Sequence, residues 1–137
     1  MADLEILEIL SPGILTSVQD LGRYGYGRYG VAPSGALDSF ALRIANLLVG
    51  NRSDQACLEI VLLGPAIKAL EDVVVAVTGG NLQPRRDKQP LAMWRSQILK
   101  KGGILSFSSP LSGFRAYVAV GGGISVPRVM GSRSTKF

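Results

Sequence analysis

Short apolar runs separated by glycine-containing turns occupy most of the chain. Pairs such as Gly64-Pro65 and Gly79-Gly80 interrupt these runs at short intervals, and this rhythm is typical of an all-β barrel or sandwich. The predicted strands are residues 4–10, 14–18, 58–63, 66–70, 73–78, 91–95, 104–106 and 114–120. The pattern therefore predicts a mainly β fold and disfavours parallel βαβ winding.

One segment departs from this rhythm and has the spacing of a helix. Between about residues 37 and 49, apolar residues recur every three or four positions, as on the buried face of a helix. Ser34 or Asp38 can cap its start, and Gly50-Asn51 supplies a stop signal. We expect one main helix in a β-rich α+β fold.

Length and composition favour a single folded unit. The 137 residues are 47% hydrophobic and 18% charged, as in globular domains, and no apolar run approaches the roughly 18 residues that span a membrane. The N-terminal residues lack the basic segment of a secretory signal. These features predict one domain over residues 1–137, no membrane partner and a cytoplasmic location.

Two residue counts limit the chemistry. Cys57 is the sole cysteine, so no internal disulfide can form, and its apolar neighbours predict a core position. The chain has no histidine, which excludes His-based metal sites and Ser-His-Asp or Cys-His nucleophile systems. We expect no metal site, and acid–base chemistry falls to Asp, Glu, Lys or Tyr.

Charge is distributed unevenly along the chain. Residues 1–87 carry ten acids and seven bases, whereas residues 88–137 carry eight bases and no acid, which favours an anionic ligand or partner for the second part. The clustered bases are few and lack interleaved aromatic residues for stacking on bases. Nucleic acid is therefore not expected as a partner.

A first polar cluster follows the second predicted strand. Gln19, Asp20 and Arg23 place an amide, a carboxylate and a guanidinium close together, and Gly22, Gly25 and Gly27 allow close approach to a ligand. Gln19, Asp20 and Arg23 are the predicted catalytic residues. An alternative fits the spacing equally well, in which Asp20 and Arg23 form an ion pair that braces the loop.

A second set of candidates surrounds the predicted helix start. Ser34 and Asp38 are predicted to bind substrate at the exposed helix end, although helix capping explains the same residues. Asn46 lies inside the apolar helical stretch, where its amide needs a partner, so it can brace the loop instead. Ser132 and Arg133 lie in a polar cluster near the end of the chain, and a family resemblance of the GSRST string implies that they complete the substrate-binding set.

The order of the motifs resembles one known family. The strings PGILTSVQDLGRYGYG, GVAPSGALDSFALRIANLLVGN, LEIVLLGP, AVTGGN, FRAYVAVGGGISVP and GSRST are similar to those of the family that unites the C subunits of 5-oxoprolinase with biotin-dependent carboxyltransferases. This family includes the allophanate hydrolase subunit 2 type and a bacterial antagonist of a kinase inhibitor. The resemblance covers nearly the whole chain and implies a cyclophilin-like β-barrel.

The resemblance also implies a function carried out in a complex. Family members extend beyond GSRST, so the 137 residues are expected to be the N-terminal part of a longer, truncated domain that is inactive alone. The implied partner is the B subunit, of the allophanate hydrolase subunit 1 type, and self-association is also expected because strand edges stay uncovered. The leading hypothesis is an ATP-dependent 5-oxoprolinase that converts 5-oxoproline to glutamate.

Two other functions remain open at this point. One is carboxyl transfer from carboxybiotin, held on a separate carrier, to an acceptor such as urea. The other is a regulatory protein that binds its partner without catalysis. In the enzyme hypotheses, Arg23 and Arg133 suit carboxylate or phosphate recognition, Asp20 suits a base or cation ligand, and Gln19 suits an amide or ureido group.

Overall fold

The architecture consists of two β-sheets and one helix. A computed structural model describes residues 6–11, 13, 15–19, 38–122 and 129–130. Its strands are β1 (Leu7–Ser11), β2 (Leu15–Gln19), β3 (Cys57–Val61), β4 (Ala66–Ala69), β5 (Val73–Asn81), β6 (Arg85–Arg86), β7 (Gln89–Pro90), β8 (Gln97–Leu99), β9 (Ile104–Ser106), β10 (Ser112–Val120) and β11 (Val129–Met130). The helix α1 spans Ser39–Leu48.

The two sheets are mainly antiparallel. The first has the strand order β11-β1-β4-β9-β6-β7, and the second has the order β2-β3-β10-β5-β8. Among the described strands, only β1 and β11 pair in parallel. The expected β-rich fold with one main helix is confirmed, and the described strands pair as two separate sheets, not as one closed ring.

The main core lies between the sheets. Strand alternation directs apolar side chains of both sheets into it, among them Leu7 and Ile67 from the first and Leu58, Val77 and Val118 from the second. The helix packs on the outer face of the second sheet, where Ala41, Leu42 and Ala45 contact Cys57, Tyr117 and Ala119. Cys57 is fully buried, as its neighbours predict.

Local signals in the sequence explain both ends of the helix. Asp38 is the N-cap, and its Oδ1 accepts a hydrogen bond of 3.0 Å from the Ala41 N–H. At the other end, Gly50 has a φ of 81°, and the Gly50 and Asn51 N–H groups donate to the carbonyls of Leu47 and Asn46. These two bonds form a Schellman motif, in which glycine adopts the left-handed conformation without strain.

One predicted strand is wrong. Residues 91–95 form no strand, although Leu91 is buried and Met93 packs on the core. Trp94 has a φ of 61°, which breaks the extended conformation, and its N–H donates to the carbonyl of Val77. The apolar run at residues 91–94 therefore reflects burial of Leu91 and partial burial of Met93 within an irregular segment. The strands β6, β7 and β11, each of two residues, were too short to predict.

None of the helices in the described part of the chain is long and apolar enough to cross a membrane.

Candidate functional site

The described parts of the first two sequence motifs contact the same strand, β3, of the second sheet. Strand β2 ends at Gln19, and α1 begins directly after Asp38. Ser17 lies opposite Glu59 in the β2–β3 ladder, and Gln19 donates a hydrogen bond of 2.9 Å to the Ser17 hydroxyl. Gln19 and Asp38, the described residues on either side of segment 20–37, thus belong to elements that both contact β3.

A buried carboxylate is at the centre of the cluster. Glu59 on β3 is only 6% exposed, and it accepts a hydrogen bond of 2.5 Å from the Tyr117 hydroxyl on β10. Its second oxygen lies 3.3 Å from the guanidinium of Arg115, two residues earlier on the same strand as Tyr117. A buried charge is stable only when it is paired in this way.

Tyr117 links the carboxylate to the helix. Its hydroxyl donates to Glu59 and accepts a hydrogen bond of 2.9 Å from the Asp38 N–H. Burial, and then the hydrogen bond to Glu59, raise the pKa of Tyr117 well above its usual range, so the phenol keeps its proton. Glu59, Tyr117 and Asp38 form a fixed chain of donors and acceptors, which we call the carboxylate chain.

Arg115 is the member of the cluster best placed to meet a ligand. About a third of its side chain is exposed, and it makes one hydrogen bond with the described residues, to Glu59. A guanidinium has five N–H donors in a planar fork, so Arg115 keeps donors available for a carboxylate or phosphate. The site can therefore bind an anion at the helix start.

The predicted residues within the described part serve mainly local structure. The Asp38 carboxylate caps the helix, which is the capping interpretation considered above. Asn46 is fully buried. Its side-chain NH₂ donates a hydrogen bond of 2.7 Å to the Gln55 carbonyl, and its Oδ1 accepts one from the Asn51 side chain, so Asn46 braces the turn after the helix. Gln19 lies at the edge of the cluster, and its role as a catalytic residue stays a prediction.

The remaining candidates lie outside the described residues. These are Asp20, Arg23, Ser34, Ser132 and Arg133, whose assigned roles stay predictions. Among the residues that the structure does describe, no group of three or more His, Cys, Asp or Glu side chains is arranged to hold a metal ion.

Sequence reasoning missed the carboxylate chain, although a signal for it exists. Glu59 interrupts an otherwise apolar strand, and a charged residue at a buried strand position requires a partner on a neighbouring strand. Tyr117 and Arg115 occupy alternate positions on β10, so both face the same side as Glu59. The strand pairing that brings them together is not readable from one sequence.

The AVTGGN motif forms a β-bulge near this cluster. The register between β5 and β10 shifts between Ser112 and Ala116, opposite Gly79 and Gly80. Gly79 has a φ of 89°, and a Cβ on Gly80 would lie 2.8 Å from the Ser112 carbonyl oxygen. Glycine is required at both positions because the backbones approach so closely, and bulges of this kind often lie beside functional sites.

Comparisons with known proteins agree with this architecture. The chain is 45% identical over 132 residues to the C subunit of 5-oxoprolinase from Escherichia coli, covering 95% of this chain and 42% of that protein. It is 42% identical over 130 residues to urea amidolyase of Saccharomyces cerevisiae, covering 94% of this chain and 7% of that protein. The chain thus spans less than half the length of either relative.

A solved structure and a family model support the same architecture. The crystal structure of the Kluyveromyces lactis urea amidolyase superposes with a TM-score of 0.83 and 44% identity, over 97% of this chain and 8% of that one. The profile of the carboxyltransferase domain, subdomains A and B, matches residues 29–137. The two sheets, the single helix and these matches together show that the chain belongs to the carboxyltransferase subdomain A and B family.

Proposed function

We propose that this chain is part of one subunit of an ATP-dependent 5-oxoprolinase, which opens the lactam of 5-oxoproline to give glutamate together with a partner B subunit. The carboxylate chain carries the proposal. It connects the helix after segment 20–37 to the buried carboxylate of Glu59, and the strand before that segment pairs with β3, the strand that carries Glu59. A segment anchored at both ends is suited to presenting Asp20 and Arg23 to a substrate.

The charges of the cluster fit the proposed substrates. Both 5-oxoproline and ATP are anions, and Arg115 offers guanidinium donors beside Glu59. Gln19, at the same edge, supplies an amide that can hydrogen-bond a lactam. The likeness to the C subunit of 5-oxoprolinase, a protein named as one member of an assembly, supports a catalyst that needs a partner.

Carboxyl transfer is the second candidate function. The profile match is to a carboxyltransferase domain, and the urea amidolyase of Kluyveromyces lactis aligns over 97% of the chain. In that reaction carboxybiotin on a separate carrier would donate the carboxyl group, and the same arginine donors would hold it. The two functions differ in their co-substrates, so one assay distinguishes them.

The test is turnover by the assembled enzyme. The protein, combined with its partner subunits, should hydrolyse ATP in a manner that depends on 5-oxoproline. The Asp20→Asn variant should lower turnover by roughly 10²- to 10⁴-fold, because it keeps the size of the side chain and removes the proposed base. Arg23→Lys should mainly raise KM, since lysine keeps the charge and loses the planar fork.

Controls separate catalysis from folding. Arg52→Lys alters an exposed arginine that pairs with Asp54, so it should leave both turnover and melting temperature unchanged. Melting temperatures of the Asp20 and Arg23 variants should remain near that of the parent protein. Wild-type turnover per folded molecule in both variants would remove the segment from the active site, and carboxyl transfer to urea without ATP hydrolysis driven by 5-oxoproline would favour the second function.

A further inference from the structure

A cleft opens at the end of the second sheet, close to the carboxylate chain. Its volume is about 520 Å³, within the range of roughly 300–1,000 Å³ that is usual for small-molecule sites. The cleft lies between the end of β5, the turn that follows it and the irregular segment 90–94. Phe40, in the first turn of α1, contacts Trp94 on the cleft wall with ring centroids 6.4 Å apart.

The polar groups of the cleft suit an anion with hydrogen-bond acceptors. Arg85 is half-buried, and its guanidinium has no hydrogen bond or ion pair with the residues that the structure describes. The Asn81 Oδ1 accepts from the Gln83 N–H, which leaves the Asn81 NH₂ without a partner in the described part of the chain. Of the described residues that line the cleft, none is acidic.

The apolar wall suits a flat ring. Leu91, Met93 and Trp94 line one side, and Trp94 is 43% exposed, so part of the indole face is accessible. Aromatic side chains bind planar groups by stacking on this face. The combination of a flat apolar wall with a guanidinium and an amide donor selects for a planar ring that carries a carboxylate.

Backbone strain indicates that the cleft is preformed. Gln83 and Trp94 both line it, and both have positive φ values, of 54° and 61°. Such conformations are strained for residues other than glycine and concentrate at ligand sites. Trp94 is fixed in this conformation by its N–H bond of 2.8 Å to Val77 and by the contact with Phe40.

We infer that this cleft binds a planar amide-type ring carrying a carboxylate, with Arg85 on the carboxylate, Asn81 on the ring carbonyl and Trp94 against the ring. Two compounds combine a cyclic amide-type group with a carboxylate, namely 5-oxoproline, whose carboxylate is on the lactam ring, and biotin, whose carboxylate is at the end of a flexible chain attached to its ring system. The choice of these two rests on the proposed function. A single guanidinium matches the two oxygens of a carboxylate better than the charge of a triphosphate.

Trp94 provides a direct readout because it is the sole tryptophan of the chain. We expect its fluorescence to change saturably when 5-oxoproline is added to the chain. 2-Pyrrolidinone has the lactam without the carboxylate, and cyclopentanecarboxylate has the carboxylate without the amide. Each should bind about tenfold or more weakly than 5-oxoproline, since each loses one of the polar contacts.

A matched pair of arginine variants tests the assigned contact. Arg85→Gln should weaken 5-oxoproline binding about tenfold or more and leave binding of 2-pyrrolidinone unchanged. Arg86→Gln is the control, because this neighbouring guanidinium donates to the Ile98 carbonyl and does not line the cleft. The affinity of Arg86→Gln for 5-oxoproline should stay within about twofold of the affinity of the parent protein. Unchanged melting temperatures would show that both variants fold.

The outcomes separate this inference from the proposed function. Binding of biotin without 5-oxoproline would support the cleft assignment and contradict the oxoprolinase proposal. Absence of a saturable change with both compounds, or equal binding by Arg85→Gln and the parent, would overturn the cleft assignment. In that case turnover in the assembled enzyme would still decide the proposed function by itself.

Discussion

The two faces of the second sheet are built from different chemistry. The inner face carries aliphatic side chains, such as Leu58, Val77 and Val118, into the core between the sheets. The outer face, under the helix, carries Glu59, Thr78 and Tyr117 among its buried side chains, and each forms a hydrogen bond. Neighbouring residues on one strand thus serve different purposes, and the face that a residue occupies predicts what its substitution changes.

Loss of a large inner-face side chain should have the greatest effect on stability. Leu58→Ala removes a fully buried leucine and should lower the free energy of unfolding by about 2–5 kcal/mol. Thermal and urea unfolding would measure this loss. Leu47→Ala is the control, because Leu47 is exposed on the helix and its truncation should cost less than about 0.5 kcal/mol. If Leu58→Ala and Leu47→Ala lowered the free energy of unfolding equally, burial on the inner face would not be the source of stability.

Substitutions in the carboxylate chain should cost less and should be coupled. Glu59→Gln and Tyr117→Phe should each lower the free energy of unfolding by about 1–3 kcal/mol, because Tyr117→Phe removes the hydroxyl that donates to Glu59 and Glu59→Gln replaces one of the two accepting oxygens with an NH₂ group. The double variant should lose less than the sum of the two single losses, by about 1 kcal/mol. Strictly additive losses in urea unfolding would show that the Glu59–Tyr117 bond contributes no stability of its own.

The third effect is absent at neutral pH and should appear only at alkaline pH, and it also belongs to the outer face. Burial raises the pKa of Cys57 from 9.0 to about 12, so the folded protein keeps a proton that the unfolded chain loses. The stability that this group contributes is therefore complete below pH 9 and declines as the pH rises towards 12. The decline should be about 1.4 kcal/mol per pH unit.

The Cys57→Ala variant lacks this titration. Its free energy of unfolding, measured in urea under reducing conditions, should differ from that of the parent by an amount that is constant below pH 9 and changes above it. A constant difference from about pH 7 to about pH 10.5 would mean that the thiol ionises alike in both states.

The two faces also differ in how well the sequence predicts them. Short apolar runs bounded by turns, such as segments 73–78 and 114–120, predict the strands that line the inner core. The same rule failed at residues 91–95, where an irregular segment buries alternate side chains around the positive φ of Trp94. Local signals sufficed for the helix, since Asp38 and Gly50 act within a few residues of its ends.

The site was less predictable because its contacts join distant parts of the chain. Glu59 and Tyr117 are 58 residues apart, and the cleft joins Asn81 to Leu111 and Ser112. Strand pairing sets such contacts, and one sequence does not specify it. The sequence motifs nevertheless pointed to Gln19 and Asp38, whose elements both contact β3, the strand that carries Glu59.

Helix α1 is fastened to one strand, β10, at both of its ends. The Asp38 N–H bonds the Tyr117 hydroxyl at the start, and past the other end Asn51 donates 2.8 Å to the Val120 carbonyl and accepts from the Gly122 N–H. The helix therefore cannot slide along its axis without breaking bonds at both ends. Helix and strand therefore move as one rigid unit. A displacement of the chain at Gly122 would shift Asp38, the residue that follows segment 20–37.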